Sequence, residues 1–518
     1  MPVRPAPATR STPSDSALQR TILAATFVAA LLRLFRLGHQ SLWIDEQFSL
    51  VASGVPGPIA WRDLLENVHG PLHALAVALA ASLGGTSEWV LRLPSALAGI
   101  ALVPAMAWLA ARWSGRETVT PAVWLTAGAP FLVWYSQECR NYAFLILGSV
   151  LATAAVLELQ RRCRPAGVLL YLLAAAGAAL SNLSFALLIP LHARLWLAGG
   201  PTRRARRVAL GVSIAGLLLM VLPWLPAIGG IWDWSRLAPG RTADAGEMAL
   251  RGTSTFHVAA VPFALHAFVM GYSGGPSLRE LRAAPVAAVR AHMPELALAG
   301  LVFGVLGALG LMAVARRRRL LDTGLWLIAP ALVVSYFAAH NFKVFHPRYI
   351  AVSLPGLLLV LAAAFADMGP RARRVWGFAV TLLWAGSLAR ATFEPKYGRE
   401  DYRTALAHVR AGFTPGERVL AVGSPEPVEW YGRGLPVSRW WLGFAARPER
   451  MAETLTDSLG VAKGTWVVLS RSEDLDPDGR CARWLDARVA PAGRWAEDGV
   501  RVWHVQGRDV EPARRAGN

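Results

Sequence analysis

The 518-residue chain is 54% hydrophobic and only 17% charged, with a mean hydropathy of +0.37, which is too apolar for a soluble enzyme and too often interrupted by arginine for one buried core. Its net charge of +19 does not indicate a nucleic-acid partner, because the arginines stand in short blocks between apolar segments, where they act as topology determinants. Cys139, Cys163 and Cys481 have neither metal-ligand spacing nor the pattern of a disulfide framework.

In chain order, residues 1–20 read as a disordered tail and residues 21–38, with Arg33 and Arg36 inside the apolar run, as an uncleaved first span. An outer loop over 39–88 follows. It opens with "SLWIDEQFSL", which sets Asp45 and Glu46 where hydrocarbon gives way to water. Segments able to cross about 30 Å of hydrocarbon lie near 89–111, 118–135, 141–158, 166–181, 184–198, 207–229, 294–315, 323–340, 348–366 and 375–392. With the first, these make about eleven spans.

Residues 71–85 form a shorter apolar piece. If it does not cross, Arg112/Arg116, Arg161/Arg162/Arg164, Arg203/Arg204/Arg206/Arg207, Arg316 to Arg319 and Arg371/Arg373/Arg374 all fall on the face of the N-terminal tail, which is then cytoplasmic. Residues 71–85 are therefore expected to be re-entrant or interfacial. The same parity makes residues 256–270, carrying His257 and His266, an interfacial helix in a second outer loop over 230–293. Beyond residue 392 hydropathy drops. "DYRTALAHVRAG" reads as an amphipathic helix, and "ERVLAVGS", "GTWVVLS" and "VRVWHV" as short strands. The predicted fold class is mainly α, a polytopic membrane domain over 21–392, with a small α/β domain over 393–518 on the extracytoplasmic side.

The outer face then gathers Asp45, Glu46, His69, His73, "WYSQECRNY" (134–142) and "NFKVFHPRY" (341–349). An isolated Asp-Glu pair at a span end is more often a structural cap than a catalyst, but three loops rich in His, Arg, Lys and Tyr shift that balance. Such a surface suits transfer from a lipid-linked sugar phosphate. That chemistry needs an apolar groove for the prenyl tail, fixed cations for the phosphate and a carboxylate to take a proton from an acceptor hydroxyl. Arg140, Lys343 and Arg348 supply candidate cations, Asp45 a candidate base, and Tyr142 and Tyr349 groups to orient oxygens.

The stretches "LRLFRLGHQSLWIDEQFSL", "HGPLHAL", "SEWVLRLPSALAG", "PFLVWYSQECRNYAFL" and "FHPRYIAVSLPGLLLVLA" resemble, in order and spacing, the bacterial dolichyl-phosphate-mannose-protein mannosyltransferase-like (PMT-like, family 39-type) proteins of the GT-C glycosyltransferase superfamily. The resemblance covers roughly residues 25–400. It implies a GT-C fold and an enzyme of the bacterial cytoplasmic membrane that moves a hexose or pentose from a polyprenyl-phosphate donor to an extracytoplasmic hydroxyl or amine. The acceptor classes it implies are protein, glycolipid and cell-wall glycan.

Carried over by residue, the resemblance makes Asp45 the general base and Glu46 its acidic partner, which orients substrate, tunes Asp45 or helps hold a divalent cation. No cofactor is required by it. His69 opens "HGPL" where the family often has His-Pro-Pro-Leu, so the backbone before Pro71 is expected to be looser. Arg140 and Tyr142 match a Gln-x-x-Arg-x-Tyr pattern, with Glu138 a candidate partner for Arg140; Arg348 and Tyr349 match Pro-Arg-Tyr. Lys343 is the weakest match, and His73 is expected against lipid headgroups. A single inverting displacement follows, since Glu46 is too close in sequence to Asp45 to act as a separate nucleophile. A transporter or flippase for an anionic lipid, and a membrane scaffold, are the rival classes; the first would carry midplane charges and an internal duplication, and the second would not need the acidic pair.

Overall fold

The computed structural model describes residues 14–60, 64, 69–198, 203–224, 259–340, 345–440 and 447–510. The first thirteen residues, Lys343, His257 and much of the expected 230–293 loop lie outside the described residues. Each apolar stretch read as a span is helical over its described part. Among the described residues seven helices are long and apolar enough to cross a membrane: Asp15–Leu34, Glu88–Trp113, Tyr142–Arg161, Arg204–Trp224, Met293–Arg316, Leu320–Ala339 and Pro347–Asp367. Others are shorter or interrupted, such as Val119–Gly128 followed by Pro130–Ser136.

That interruption explains a charge inside the first span. Pro130 has no N–H to give, so the helix breaks at Ala129 and the carbonyls of Thr126 and Ala127 lose their helical donors. In hydrocarbon such carbonyls must be satisfied internally. Arg33, fully buried, donates to Thr126 O at 3.1 Å, to Ala127 O at 2.9 Å and to Ser136 Oγ at 3.2 Å. The break is thus capped from a neighbouring helix.

One end of the bundle carries the basic blocks. Arg317 donates to Asp367 at 2.7 Å and to Ser114 O at 3.2 Å, Arg112 pairs with Glu158 at 2.7 Å, and Arg116 pairs with Asp15. At the other end Asp45, Arg140 and Arg348 come together. The 71–85 piece is the helix Pro71–Gly84, and the described part of the 256–270 stretch is the helix Ala260–Met270.

The C-terminal part is a five-stranded sheet in the order β2-β1-β3-β5-β4: β1 Arg418–Val422, β2 Val437–Trp440, β3 Gly464–Ser470, β4 Arg494–Glu497 and β5 Val500–Gln506. β1 runs parallel to β2 (Val419 opposite Val437) and to β3 (Val419 opposite Trp466), while β5 is antiparallel to β3 and β4. Asp401 caps the helix Tyr402–Gly412, accepting from Thr404 N at 3.1 Å. Tyr402, Ala405, Leu406 and Val409 stand at helical spacing and are buried together against the sheet, where a side chain such as Leu406 contributes about 1.5–3 kcal/mol.

Candidate functional site

Three separate chain segments build the site. The first is the helix Ile44–Ala52, whose opening turn carries Asp45 and Glu46. The second is the loop 137–141, between the helices Pro130–Ser136 and Tyr142–Arg161, carrying Glu138 and Arg140. The third is the 3-10 turn Pro347–Ser353, where His346 accepts from Arg348 N at 3.2 Å and so fixes the start of the turn.

Asp45 and Arg348 meet across these segments, with Arg348 Nη1 donating to Asp45 Oδ2. Arg140 Nη1 donates to the backbone carbonyl of Asp45 at 2.7 Å and to Ser49 Oγ at 3.1 Å. His69 lies beside Arg140, Nε2 to Nη2 3.4 Å. Arg348 Nη2 reaches the Tyr349 hydroxyl at 3.5 Å, and its guanidinium stands 5.3 Å from that ring's centre; Arg140 stands 5.9 Å from the ring of Tyr142, which is buried. Burial pushes the Asp45 carboxyl up, but Arg348 and then Arg140 more than offset it and hold the group below its ordinary range.

Glu46 points the other way. Expected beside Asp45 at the chemistry, it is fully buried, receiving Arg92 Nε at 2.8 Å on one oxygen and Arg92 Nη2 at 2.8 Å on the other, with Cys139 N donating at 2.7 Å. The reason is Arg92, whose remaining donors hold the carbonyls of Leu37, Gln40 and Ser41. Both Glu46 oxygens are thus engaged by protein donors. Among the described residues no three His, Cys, Asp or Glu side chains form a metal-holding group.

Other expectations are corrected by the same geometry. Glu138 does not pair with Arg140; it accepts from Arg399 at 2.7 Å and from Trp134 Nε1 at 2.8 Å. His73 is buried, 3.2 Å from Ser95 Oγ and edge-on to Phe144, rather than against headgroups. Gly70 is not a loosening. A Cβ there would lie 2.1 Å from Leu180 O, so the close approach of two backbones demands glycine between His69 and Pro71. Lys343 lies outside the described residues.

A cavity of about 80 Å³ adjoins Arg348, lined among others by Trp43, Trp134, Tyr135, Glu138 and Arg399. Arg399 comes from the strap that follows the last long helix. Its guanidinium stands 5.0 Å from the Trp134 ring centre and 5.9 Å from that of Trp43. Arg348 Nε, Arg140 Nε and Glu138 Oε2 are buried without hydrogen-bond partners among the described residues. Arg92, Arg399 and His346 escaped the sequence reading. Arg92 alone left a signal, a charge four residues into an apolar helix that must find a partner inside the protein.

The bundle of interrupted apolar helices with the helix Ile44–Ala52 at one end and a C-terminal α/β unit is a fold shared with solved structures. The solved structure of ArnT from Cupriavidus metallidurans in the apo state superposes with a TM-score of 0.59 at 14% identity, over 96% of this chain and 99% of that one. The same protein bound to undecaprenyl phosphate gives 0.55 at 16% identity, over 96% and 98%. The Archaeoglobus fulgidus oligosaccharyltransferase in the apo form gives 0.50 at 14% identity, over 89% and 70%. Residues 68–227, less than half of the chain, match the model of the family described as Dolichyl-phosphate-mannose-protein mannosyltransferase, and the likeness to the solved structures is one of fold. No curated protein matches it.

Proposed function

We propose that this multi-pass membrane protein is a glycosyltransferase that moves a sugar from a polyprenyl-phosphate donor to an acceptor hydroxyl or amine at the extracytoplasmic face of a bacterial cytoplasmic membrane. One observation carries the reading: an ionised carboxylate, Asp45, is held between two arginines from distant segments, Arg348 on its oxygen and Arg140 on its own backbone carbonyl. The similarity to a protein solved with undecaprenyl phosphate supports the donor class.

In this reading the donor phosphate competes with Asp45 for Arg348. As the guanidinium turns to the phosphate, where its planar fork matches two oxygens, Asp45 is freed to accept a proton. The acceptor oxygen attacks the anomeric carbon, its proton passes to Asp45, and the bond to the phosphate oxygen breaks with inversion. Polyprenyl phosphate leaves carrying one more negative charge, which Arg348 and Arg140 stabilise. His69 steadies Arg140, and Tyr142 and Tyr349 flank the cations. Glu46 acts as a positioning residue through Arg92 and Cys139 rather than on the substrate. Protein, glycolipid and cell-wall glycan are the acceptor classes to be tried.

The test is transfer or release of label from a panel of radiolabelled undecaprenyl-phosphate sugars by the purified full chain. Turnover that Asp45→Asn abolishes supports the enzyme. Binding or movement of the lipid that survives Asp45→Asn unchanged, with no turnover by the wild type, favours a flippase instead.

A further inference from the structure

The C-terminal α/β unit reaches the candidate site through its own residues. Tyr431 ends the helix Pro425–Tyr431 that follows β1. Its hydroxyl accepts from Leu42 N at 2.7 Å and donates to Glu88 Oε1 at 2.8 Å. Its ring packs against two cores at once. One belongs to the α/β unit, with Tyr402, Leu406 and Val428. The other lies under the Asp45 helix, with Leu42, Leu50 and Cys139.

Two further ties run to the same stretch of chain. Ser41 Oγ donates to Glu400 O at 2.6 Å and accepts from Tyr402 N at 3.1 Å. Arg403 donates to the carbonyls of Gly38 and His39, each at 3.2 Å, and pairs with Glu88 at 3.1 Å. The segment 38–42, which delivers the chain into the Asp45 helix, is therefore gripped by Arg92 from the membrane bundle and by Ser41, Arg403 and Tyr431 contacts from the C-terminal side. Leu42 stands three residues before Asp45. Any drift of this segment is passed to the carboxylate by a short, rigid lever.

We propose that the C-terminal α/β unit is part of the reaction apparatus, setting Asp45 against Arg348 and Arg140, with Tyr431 as the positioning residue that tethers Leu42 and Glu88. The inference rests on the reading of Asp45 as base. Removing the Tyr431 hydroxyl leaves the Leu42 N–H and a Glu88 oxygen without that partner in a part-buried setting, so the segment must re-seat to satisfy them. The phenyl ring that remains keeps both apolar contacts. A displacement of about 1 Å is enough to cost a large factor in turnover where a base must meet a proton.

The ionisation of Asp45 measures this positioning, because it depends on the distances to Arg348, Arg140, His346, Tyr142 and Glu138, which surround it. Moving the carboxylate away from the arginines weakens their hold and raises its pKa. The acid limb of the kcat profile then shifts to higher pH. A purely structural role lowers the amount of folded protein and leaves the limb in place.

The experiment compares wild type, Tyr431→Phe, Ser41→Ala and Asp45→Asn as purified full-length proteins, releasing label from an undecaprenyl-phosphate sugar across pH. For Tyr431→Phe we expect kcat about tenfold lower, donor KM within about twofold, and the acid limb displaced upward. An unmoved limb with unchanged kcat, or with activity lost only in proportion to folded protein, overturns the proposal. Should Tyr431→Phe fail to accumulate, Ser41→Ala decides by the same limb shift. Full activity in Asp45→Asn overturns the tether and the base together, whereas an inactive Asp45→Asn beside an unmoved limb in Tyr431→Phe overturns the tether alone.

Discussion

Arg348 and Asp45 lie 303 residues apart in the chain and meet as a side-chain ion pair. Neither is sealed off, since the Arg348 side chain is 19% and the Asp45 side chain 16% exposed. A pair of this kind is open to exchange with an incoming anion, unlike the fully buried pair of Arg92 and Glu46, at 1% and 0%. The adjacent acids of one helical turn thus sit in opposite environments, one poised and one locked.

The poised acid gives the first prediction. Asp45→Asn keeps size and most hydrogen bonding but cannot take a proton, so turnover falls by about 10² to 10⁴, the usual worth of general base catalysis. Binding of undecaprenyl phosphate, followed by quenching of tryptophan fluorescence, survives. Wild-type kcat at saturating donor would remove Asp45 from the base role.

Arg348 is tested by shape as well as charge. Arg348→Lys retains one positive charge but loses the planar fork, so donor KM rises more than a Coulomb argument alone gives. Arg140→Ala removes the hold on the Asp45 carbonyl and Ser49, so it lowers kcat along with donor affinity. Unchanged donor KM in both variants would take phosphate binding away from these arginines.

Much of this arrangement was legible beforehand, for identifiable reasons. Hydrophobic runs between arginine blocks mark helices, and the short β-branched and aromatic runs in "GTWVVLS" and "VRVWHV" mark β3 and β5, because these signals are local. β2 and β4 are short and half-exposed, so they leave little of such a run to read. The convergence of Asp45, Arg140 and Arg348 followed from placing their loops at one membrane face. What escaped was partner choice. Glu138 and Arg140 are near in sequence, yet Glu138 is taken by Arg399 from 261 residues away, and only the packing of the strap over Trp134 brings them together. The need for glycine at position 70 was likewise invisible, because it arises from Leu180 on another segment.

The locked acid behaves differently under substitution. Glu46→Gln leaves the Arg92 guanidinium buried without its counter-charge, a change that costs about 3–5 kcal/mol. The expected outcome is a fall in Tm and in yield of folded protein, while the molecules that fold keep a sizeable fraction of kcat. A stable Glu46→Gln protein with turnover as low as Asp45→Asn would instead place Glu46 at the reaction.

We propose that the basic blocks face the cytoplasm and the α/β unit the opposite side. With Arg371 exposed at the arginine-rich end and Val461 at 70% exposure on the α/β unit, a cysteine at position 461 in whole cells is expected to react with a membrane-impermeant maleimide and one at position 371 only after lysis. Labelling in the reverse order would invert the map and move the site to the cytoplasm.

The last prediction concerns pH. Desolvation raises the Asp45 carboxyl, Arg348 and Arg140 lower it, and the arginines prevail; Glu46 is likewise held down, chiefly by Arg92, against its burial. A group whose folded-state pKa is depressed adds stability that is fully present above its unfolded value, about 3.9 for Asp and 4.3 for Glu, and that is lost as pH falls through the lower folded value. Tm is therefore expected to hold from neutral pH down to near pH 5 and to decline below it, and the decline is shallower in Glu46→Gln, which has one fewer such group. Catalysis follows the same sign, since only ionised Asp45 accepts a proton: kcat stays flat on the acid side until pH drops below the ordinary carboxylate range. Arg140→Gln weakens one of the two holds on Asp45, so its acid limb moves upward toward that range. An acid limb in the wild type near pH 6 to 7, or one that Arg140→Gln leaves in place, would show that a group other than Asp45 takes the proton.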